Sequence, residues 1–525
     1  MSFLFSAIIS LLFISSIYFL DSTPKNGDNF SNENSSLKKW HHIFLLFITL
    51  MVAVRVFNSL NEGLSHDSAQ HVHIAWLMSK GLIPYRDFFD NHPPLFWIPM
   101  FLAFKVYPDP SLVQSIYVAK MTIALTVVIL WGLLYETSRQ IYRSSSAAIL
   151  SLGCLIACAP SLDPYFEIRP QQPMLVFFIL SILFYVRYSQ RPDKTFYLVL
   201  SSMSLTFSQL ILPMMPLESI AWAFFMFFIT WKKRSKREAL IFLFVPAIFT
   251  TIILIFVMCI FVDPIDLYYF VVKLNLTLSP NAVSPRLRFL EAQLHLPIII
   301  FGVVGIFSVL FVRKGASKSF AFVILCLVIV SGFNMAFMCH SLWPQHYMSF
   351  YILASMLTGC SIFLFAAQSR RRIVLFFSLI IVYLFFFANL CRQPRLPSRE
   401  VYLDNLGYLL SYSSKQDRVF LCPSRHPLFR MDASYYWFGR WDLVRNMQEH
   451  IEGFDFLPHK DEIFDVRVPL KIARPKFMIG PDSSWWSPLD RSGLASLPSC
   501  SFKKVPIGYY GDVVEYSASC SFSDK

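Results

Sequence analysis

The segment from Ser65 to Trp97, SHDSAQHVHIAWLMSKGLIPYRDFFDNHPPLFW, concentrates the carboxylates, cations and imidazoles that acid–base chemistry needs. Asp67 opens a half-apolar stretch. Read as a helix, positions 67, 71, 74, 75 and 78 share one face, so Asp67 and His71 are neighbours. Ile74, Trp76 and Leu77 can then rest among lipid headgroups, as interfacial helices do. A carboxylate held at such an edge suits a general base. The competing reading makes Asp67 a helix N-cap, a common start signal before an apolar-periodic run. Farther on, Tyr85-Arg86-Asp87-Phe88-Phe89-Asp90-Asn91-His92 runs into Pro93-Pro94. The double proline keeps Asn91 and His92 out of a helix and starts a new one at Pro94. Asp90 and His92 then lie at a helix N-terminus, a favourable place for an anion. Arg86 and His92 can grip a phosphate, and Asp87 or Asp90 can hold a sugar hydroxyl or a metal. The plainer reading is a proline-broken loop with interfacial aromatics.

Other polar groups stand between apolar runs. Asp163, Glu167 and Arg169 fall within seven residues, just before Pro170-Gln171. They can order a ligand, or simply close a turn with an exposed ion pair, which stabilises little. The run Cys339 to Tyr347 sets His340 and His346 beside Trp343 and Tyr347, a set that can bind a sugar face or a phosphate. Its plain reading is a group of interfacial polar residues. Lys120 lies within an apolar run, where a charge is costly and functional by default unless it snorkels outward. The loop 263–295 adds Lys273, Arg286 and Arg288, either for capture of a lipid phosphate or as a solvated flap. Asn275-Leu276-Thr277 is a weak glycosylation pattern. His66, His71 and His73 with Asp67 invite a metal, but only 67 and 71 share a face, and a site needs three convergent ligands. No metal or other cofactor is therefore expected, with a divalent ion as the alternative.

The elements that position these groups follow from composition. Of 525 residues, 55% are hydrophobic, 17% aromatic and only 15% charged, with Phe at 54 copies. A soluble globule carries about 25% charged residues, so the chain reads as a polytopic membrane protein. A net charge of +13 would suit nucleic acid, but the basic residues sit in short clusters between apolar runs and no reader motif is present, so nucleic acid is excluded as a partner. Cys154, Cys158, Cys259, Cys326 and Cys360 fall in apolar runs as packing residues. Cys422, Cys500 and Cys520 lie in the polar tail, where a disulfide is available if the tail is exported.

A bilayer core takes about 20 apolar residues per helix. Spans fall near 3–20, 42–60, 112–135, 145–160, 172–188, 196–212, 213–231, 239–262, 296–312, 319–338, 348–366 and 373–390, about 12 in all. The first lacks the basic start and cleavage site of a signal peptide and is kept as a span. Placing every basic cluster in the cytoplasm makes the spans alternate without conflict. The segments 61–111, 161–171, 263–295, 339–347 and 391–525 then face outward, and 94–107 is a short interfacial or re-entrant helix. Three parts result: 1–41, an N-terminal span and polar linker; 42–390, the membrane-embedded domain with its first outer loop 61–111; and 391–525, a small α/β extracytoplasmic domain. Strands are expected at Arg418–Cys422, Lys476–Gly480 and Asp512–Tyr516.

This order of parts resembles the membrane-embedded C-type (GT-C) glycosyltransferases, most of all the bacterial branch of the aminoarabinose transferase and the protein O-mannosyltransferases. The motifs that carry it are Asp67 after a span with Ala75 and Gly81 following, Pro93-Pro94-Leu95-Phe96-Trp97, and Arg169-Pro170 at a later turn. The sequence departs from that branch in having Asn91-His92 where an acid–Lys pair precedes the prolines, Ser68 beside Asp67 in place of a second acid, and Gln171 after Arg169-Pro170 in place of an acid. The resemblance implies transfer of a sugar from a polyprenyl-phosphate carrier to a lipid, glycan or protein acceptor on the outer side of the cell inner membrane. Asp67 would be the base. Arg86, His92, Arg169 and Lys120 would bind the donor phosphate. Asp90, Glu167, His71, His346 and Tyr347 would contact sugar or acceptor, with Trp76, Tyr85, Trp97 and Trp343 lining the cavity and lipid groove. The competing readings are a polyprenyl-lipid flippase or transporter, which should carry charge deep in several spans, and a glycan polymerase.

Overall fold

A backbone in lipid must satisfy its own hydrogen bonds, so apolar runs of span length become helices. The computed structural model describes residues 46, 49–108 except 51 and 55, 111–157, 166–277 except 214, 305–307, 309, 316–334, 347–360, 399–421, 426–436, 456–479 with breaks, 502–504 and 513–516. A helical segment ends at residue 61. Helix α1 follows at His66–Ser79. A 3₁₀ turn at Pro94–Phe96 leads into α2, Ile98–Val106. The bundle comprises α3 (Leu112–Tyr142), α4 (Ser145–Ala157), α5 (Gln171–Gln190), α6 (Thr195–Ile211), α7 (Pro216–Lys233), α8 (Lys236–Cys259), α9 (Ala316–Phe333) and α10 (Met348–Thr358). By length and composition α3, α5 and α8 can cross a membrane, and α4, α6, α9 and α10 are shorter apolar helices. The chain is a multi-pass helical membrane protein, and each expected span from 112 to 366 except 296–312 has its helix. Spans 3–20 and 373–390 lie outside the described residues, as does nearly all of 296–312.

Two differences have physical causes. Helix α3 runs past the expected end at 135 to Tyr142, because its polar last turns are held by ion pairs. Buried Glu136 accepts from Arg139 Nε (2.8 Å) and Gln140 Nε2 (2.8 Å), and Arg187 Nη2 of α5 approaches at 3.3 Å. Nearby, Lys233 reaches Ser189, and Arg234 donates to the Pro192 carbonyl. The basic ends of α3, α5 and α7 thus gather at one end of the bundle. The second difference concerns α1. The expected headgroup contacts of Ile74, Trp76 and Leu77 are not made, because all three are buried. Helix α2 packs along one side of α1. The tail covers another, with Phe429 set 6.0 Å from the Trp76 ring.

The tail contains α11 (Arg399–Ser411), α12 (Arg467–Ala473) and a five-stranded sheet. Its strands are β1 (Arg418–Phe420), β2 (Met431–Asp432), β3 (Phe477–Ile479), β4 (Phe502–Lys504) and β5 (Val513–Tyr516), in the order β2-β1-β3-β5-β4. Strands β2, β1 and β3 are parallel, and β3, β5 and β4 antiparallel. The three expected strands are β1, β3 and β5. The sheet domain rests directly on the helical part. Gly63, between the helical segment ending at residue 61 and α1, lies so close to Tyr402 of α11 that a Cβ there would meet the Tyr402 Cβ at 2.9 Å. A second apolar cluster joins Tyr85 and Phe89, the 262–274 segment, and Tyr435 and Tyr436. A backbone bond from Phe89 N–H to the Tyr435 carbonyl (2.9 Å) runs through it.

Candidate active site

Ser65 begins α1: its hydroxyl accepts the Ser68 amide. Asp67 is therefore not the cap. It stands in the first turn, where a carboxylate complements the helix dipole, and its side chain is free to meet Arg169, whose Nη1 forms an ion pair with Asp67 Oδ2. Arg169 Nε donates to Glu167 Oε2 at the same time. The turn carrying Glu167 and Arg169 is docked by three contacts. Phe166 packs edge-on against Trp131 of α3 (5.8 Å), Ile168 N–H donates to Ser68 Oγ (2.8 Å), and Gln172 Nε2 donates to the Glu167 carbonyl (2.8 Å). Burial raises the Glu167 carboxyl above its ordinary value, against the charge and hydrogen bond of Arg169. Asp67 and Glu167 are partly exposed, at 29% and 22% of their side-chain surface, so the group is open to a ligand.

A second group adjoins the first. Asp90 is wholly buried and accepts from Gln70 Nε2 (2.5 Å), from the His92 amide (2.8 Å) and from His92 Nδ1 (2.7 Å). Asp90 thus stands behind His92 and holds it. Burial works against the His92 imidazolium, but the Asp90 carboxylate, by charge and hydrogen bond, and the Asp67 charge outweigh it and raise its pKa. The His92 ring meets the His71 ring edge to face at 5.1 Å. His71 is in the opposite state. Burial first, then the charges of His92 and Arg169, lower its pKa well below the ordinary value. Trp97 Nε1–H donates to His71 Nδ1 (3.1 Å). An indole can only donate, so neutral His71 carries its proton on Nε2 and is a hydrogen-bond donor.

Six residues singled out by sequence are thus gathered: Asp67, His71, Asp90, His92, Glu167 and Arg169. Others stand apart. Arg86 is exposed and pairs with its neighbour Asp87 (2.9 Å), whose hydrogen bond raises its pKa. Lys120 donates to the carbonyls of Ser59 and Glu62, at the open end of the helical segment that closes at residue 61. Tyr347 is buried at the start of α10 against Tyr351. His346, Trp343, Asp163, Arg286 and Arg288 lie outside the described residues. The expected lining aromatics Trp76, Tyr85 and Trp97 are buried in packing, and Lys273 lies over the rings of Tyr269 and Phe456. The grouping of His66, His71 and His73 with Asp67 is split, because His73 turns to the tail, with Nε2 2.9 Å from Asp432 Oδ2. Among the described residues one set has metal-ligand spacing: His73, His426 and Asp432. Ser68, Gln70 and Gln172 are positioning residues that sequence reading misses. The signal for Gln70 is its i+3 place after Asp67 on α1.

No family model and no curated protein matches the sequence. Solved structures do match. ArnT from Cupriavidus metallidurans bound to undecaprenyl phosphate superposes with a TM-score of 0.60 at 12% identity, covering 93% of this chain and 99% of that one. The oligosaccharyltransferase of Archaeoglobus fulgidus in its apo form gives 0.51 at 12% identity, over 94% of this chain and 76% of that one. Archaeal oligosaccharyltransferase AglB from the same organism, in complex with an inhibitory peptide and a dolichol-phosphate, gives 0.50 at 12% identity, over 92% and 74%. The chain has the fold of the GT-C membrane glycosyltransferases.

Proposed function

We propose that this chain transfers a sugar from a polyprenyl-phosphate carrier to a hydroxyl of a lipid, glycan or protein, at the outer face of the cytoplasmic membrane. The observation that carries this reading is the sharing of Arg169 between Asp67 and Glu167, with the cation-prone His92 beside them. The fold supports it, since two neighbours with that fold hold a polyprenyl or dolichol phosphate. The lipid-facing bundle supplies a route for such a carrier. The gathering of basic side chains at the other end of the bundle fits a cytoplasmic side there, and an extracytoplasmic one here.

The acceptor oxygen forms a bond to the anomeric carbon as the carbon–oxygen bond to phosphate breaks. Its proton passes to Asp67, and the bonding pair leaves with the phosphate. A single displacement inverts the anomeric centre. The departing phosphate already carries its charge, so it needs cations rather than an acid. Arg169 and His92 supply them, and neutral His71 donates from Nε2. A guanidinium has five N–H donors, so Arg169 can reach a phosphate oxygen while still bonded to Glu167. Arrival of the donor phosphate offers Arg169 a competing anion and releases Asp67 to take the proton. Asp90 acts through His92, and Glu167 orients Arg169 and a sugar hydroxyl. Of the four residues expected to bind the donor phosphate, this reading keeps Arg169 and His92 and sets Arg86 and Lys120 aside, and His346 and Tyr347 stay assigned to the acceptor side.

Lipid-linked glycan analysis by mass spectrometry tests this, in cells with the gene, without it, and with Asp67→Asn. Loss of one glycosylated product, with its polyprenyl-phosphate sugar accumulating, in both the deletion and the variant is the expected result. Identical profiles in all three strains would refute the reading.

A further inference from the structure

We propose that His73, His426 and Asp432 bind a divalent cation of the zinc class, which fastens the C-terminal sheet domain to the helix bearing Asp67. The three side chains come from different elements. His73 is on α1, Asp432 ends β2, and His426 lies in the chain leading to β2. Their ligand atoms all fall within 4.8 Å of one another. His73 Nε2 is 2.9 Å from Asp432 Oδ2, and His426 Nε2 is 3.2 Å from Asp432 Oδ1. His73 and His426 are buried, and the Asp432 side chain is 7% exposed. A tetrahedral ion with bonds of about 2.0–2.1 Å sets its ligand atoms about 3.3 Å apart. The site is therefore close to the required spacing.

Two observations ask for a cation between these atoms. His73 Nδ1 lies 2.6 Å from the Leu428 carbonyl, which can only accept. The ring proton is therefore on Nδ1, and in a neutral ring Nε2 turns a lone pair on a carboxylate oxygen. Two lone pairs at that distance need a positive species. Second, Asp432 Oδ1 is buried, and His426 Nε2 approaches it at 3.2 Å out of line for a good hydrogen bond. A proton shared by His73 and Asp432 relieves the first contact and leaves the second. An ion among the three meets both.

The backbone is shaped to this end. Leu428 has φ +62°, a left-handed conformation that a non-glycine residue adopts at a cost and that often marks a functional site. In that conformation its carbonyl takes the His73 Nδ1 proton while its amide donates to His426 Nδ1 (3.0 Å). One residue thus touches both rings, and for His73 its carbonyl is the outer partner that a ligating imidazole takes. The amide bond places the His426 proton on Nε2 when no ion is bound. Uptake shifts that proton to Nδ1 and gives up the amide bond. If His73 is protonated beforehand, it releases one proton. Two imidazoles and one carboxylate select zinc and its first-row neighbours over magnesium or calcium, which take oxygen ligands.

The test uses full-length protein in detergent, stripped with chelator and desalted, then loaded with zinc sulfate and desalted again. Elemental analysis is expected to find one zinc per chain, and the unfolding midpoint to rise with zinc but not with magnesium. Asp432→Asn and His426→Gln should each lower zinc affinity by about tenfold or more. Cobalt(II) titration of the unaltered protein, read as visible absorption of a four- or five-coordinate ion, keeps the question decidable if the variants fail to fold. Retention of far less than one zinc with no thermal shift, no cobalt band, or full zinc retention by both variants would each overturn the proposal. None of these readouts depends on sugar transfer.

Discussion

Arg169 and Asp67 form an ion pair across one end of the bundle, although α3 and α4 lie between them in the chain. The pair makes the position of one partner the concern of the other. The Asp67 oxygen engaged by the guanidinium is not turned to an acceptor hydroxyl until Arg169 has another anion to bind. Catalysis is then tied to donor occupancy, and solvent gains nothing from a base that is occupied between turnovers.

Asp67→Asn keeps the shape of the side chain and removes the base. Transfer is expected to fall on the order of 10²–10⁴-fold, the usual contribution of a general base. Ser65, not Asp67, caps α1, so the helix keeps its start and the unfolding midpoint should fall only by what the Arg169 ion pair contributes. Ser65→Ala is the complementary control, costing about 1 kcal/mol of stability while transfer persists. Product formation in membranes and thermal unfolding of the purified variants check both.

Arg169→Lys preserves charge but loses the planar fork that bonds Asp67 and Glu167 together. A lysine at a site of this kind is not a conservative replacement. Donor turnover should drop by roughly 10²–10³-fold, as when one stabilising donor is removed. A kcat/KM within a few-fold of the parent would show that Arg169 serves only to close the turn.

His92 makes the reaction pH-sensitive on its alkaline side. Its folded pKa is raised, so the imidazolium is fully present below the ordinary histidine value and is lost as pH climbs through the raised one. Its share of donor binding, and of stability, follows the same course. Asp90→Asn removes the carboxylate that sustains the charge and should move the alkaline limb of kcat/KM to lower pH. His92→Lys should extend the limb upward, because a lysine stays charged through that window. A pH profile unchanged in both variants would remove His92 from the phosphate site.

Much of this architecture is legible in the sequence because lipid imposes strict rules. Runs such as 172–188 have no alternative to a helix, and α5 follows. The central strands β1, β3 and β5 show as short β-rich runs, whereas β2, at two residues, carries no periodicity to read. Charges that interrupt apolar chain, such as Asp67, Glu167 and Arg169, stand out because their cost demands a reason. What is not legible is which charge meets which. Arg86 and Arg169 look alike in sequence, but Asp87 lies beside Arg86 and captures it. Lys120 is drawn to carbonyls left open at a helix end. The burial of α1 depends on a tail that begins hundreds of residues away, and no local pattern announces it.

Ser68 offers a test of how the two halves of the site are kept together. Its hydroxyl accepts the buried Ile168 amide, a direct hydrogen bond that joins α1 to the turn carrying Glu167 and Arg169 beside the Asp67–Arg169 ion pair. Ser68→Ala removes the acceptor and leaves that N–H without its partner, a loss of about 1–3 kcal/mol. The unfolding midpoint should fall accordingly. Activity should fall further than the midpoint alone explains, because a shift of about 1 Å between the base and its cation can cost about 10²-fold. Ser68→Thr keeps a hydroxyl and should recover much of both. Recovery of stability without recovery of kcat would mean that the added methyl, not the hydrogen bond, decides the spacing. An unchanged kcat in Ser68→Ala would show that the ion pair alone holds the turn in place.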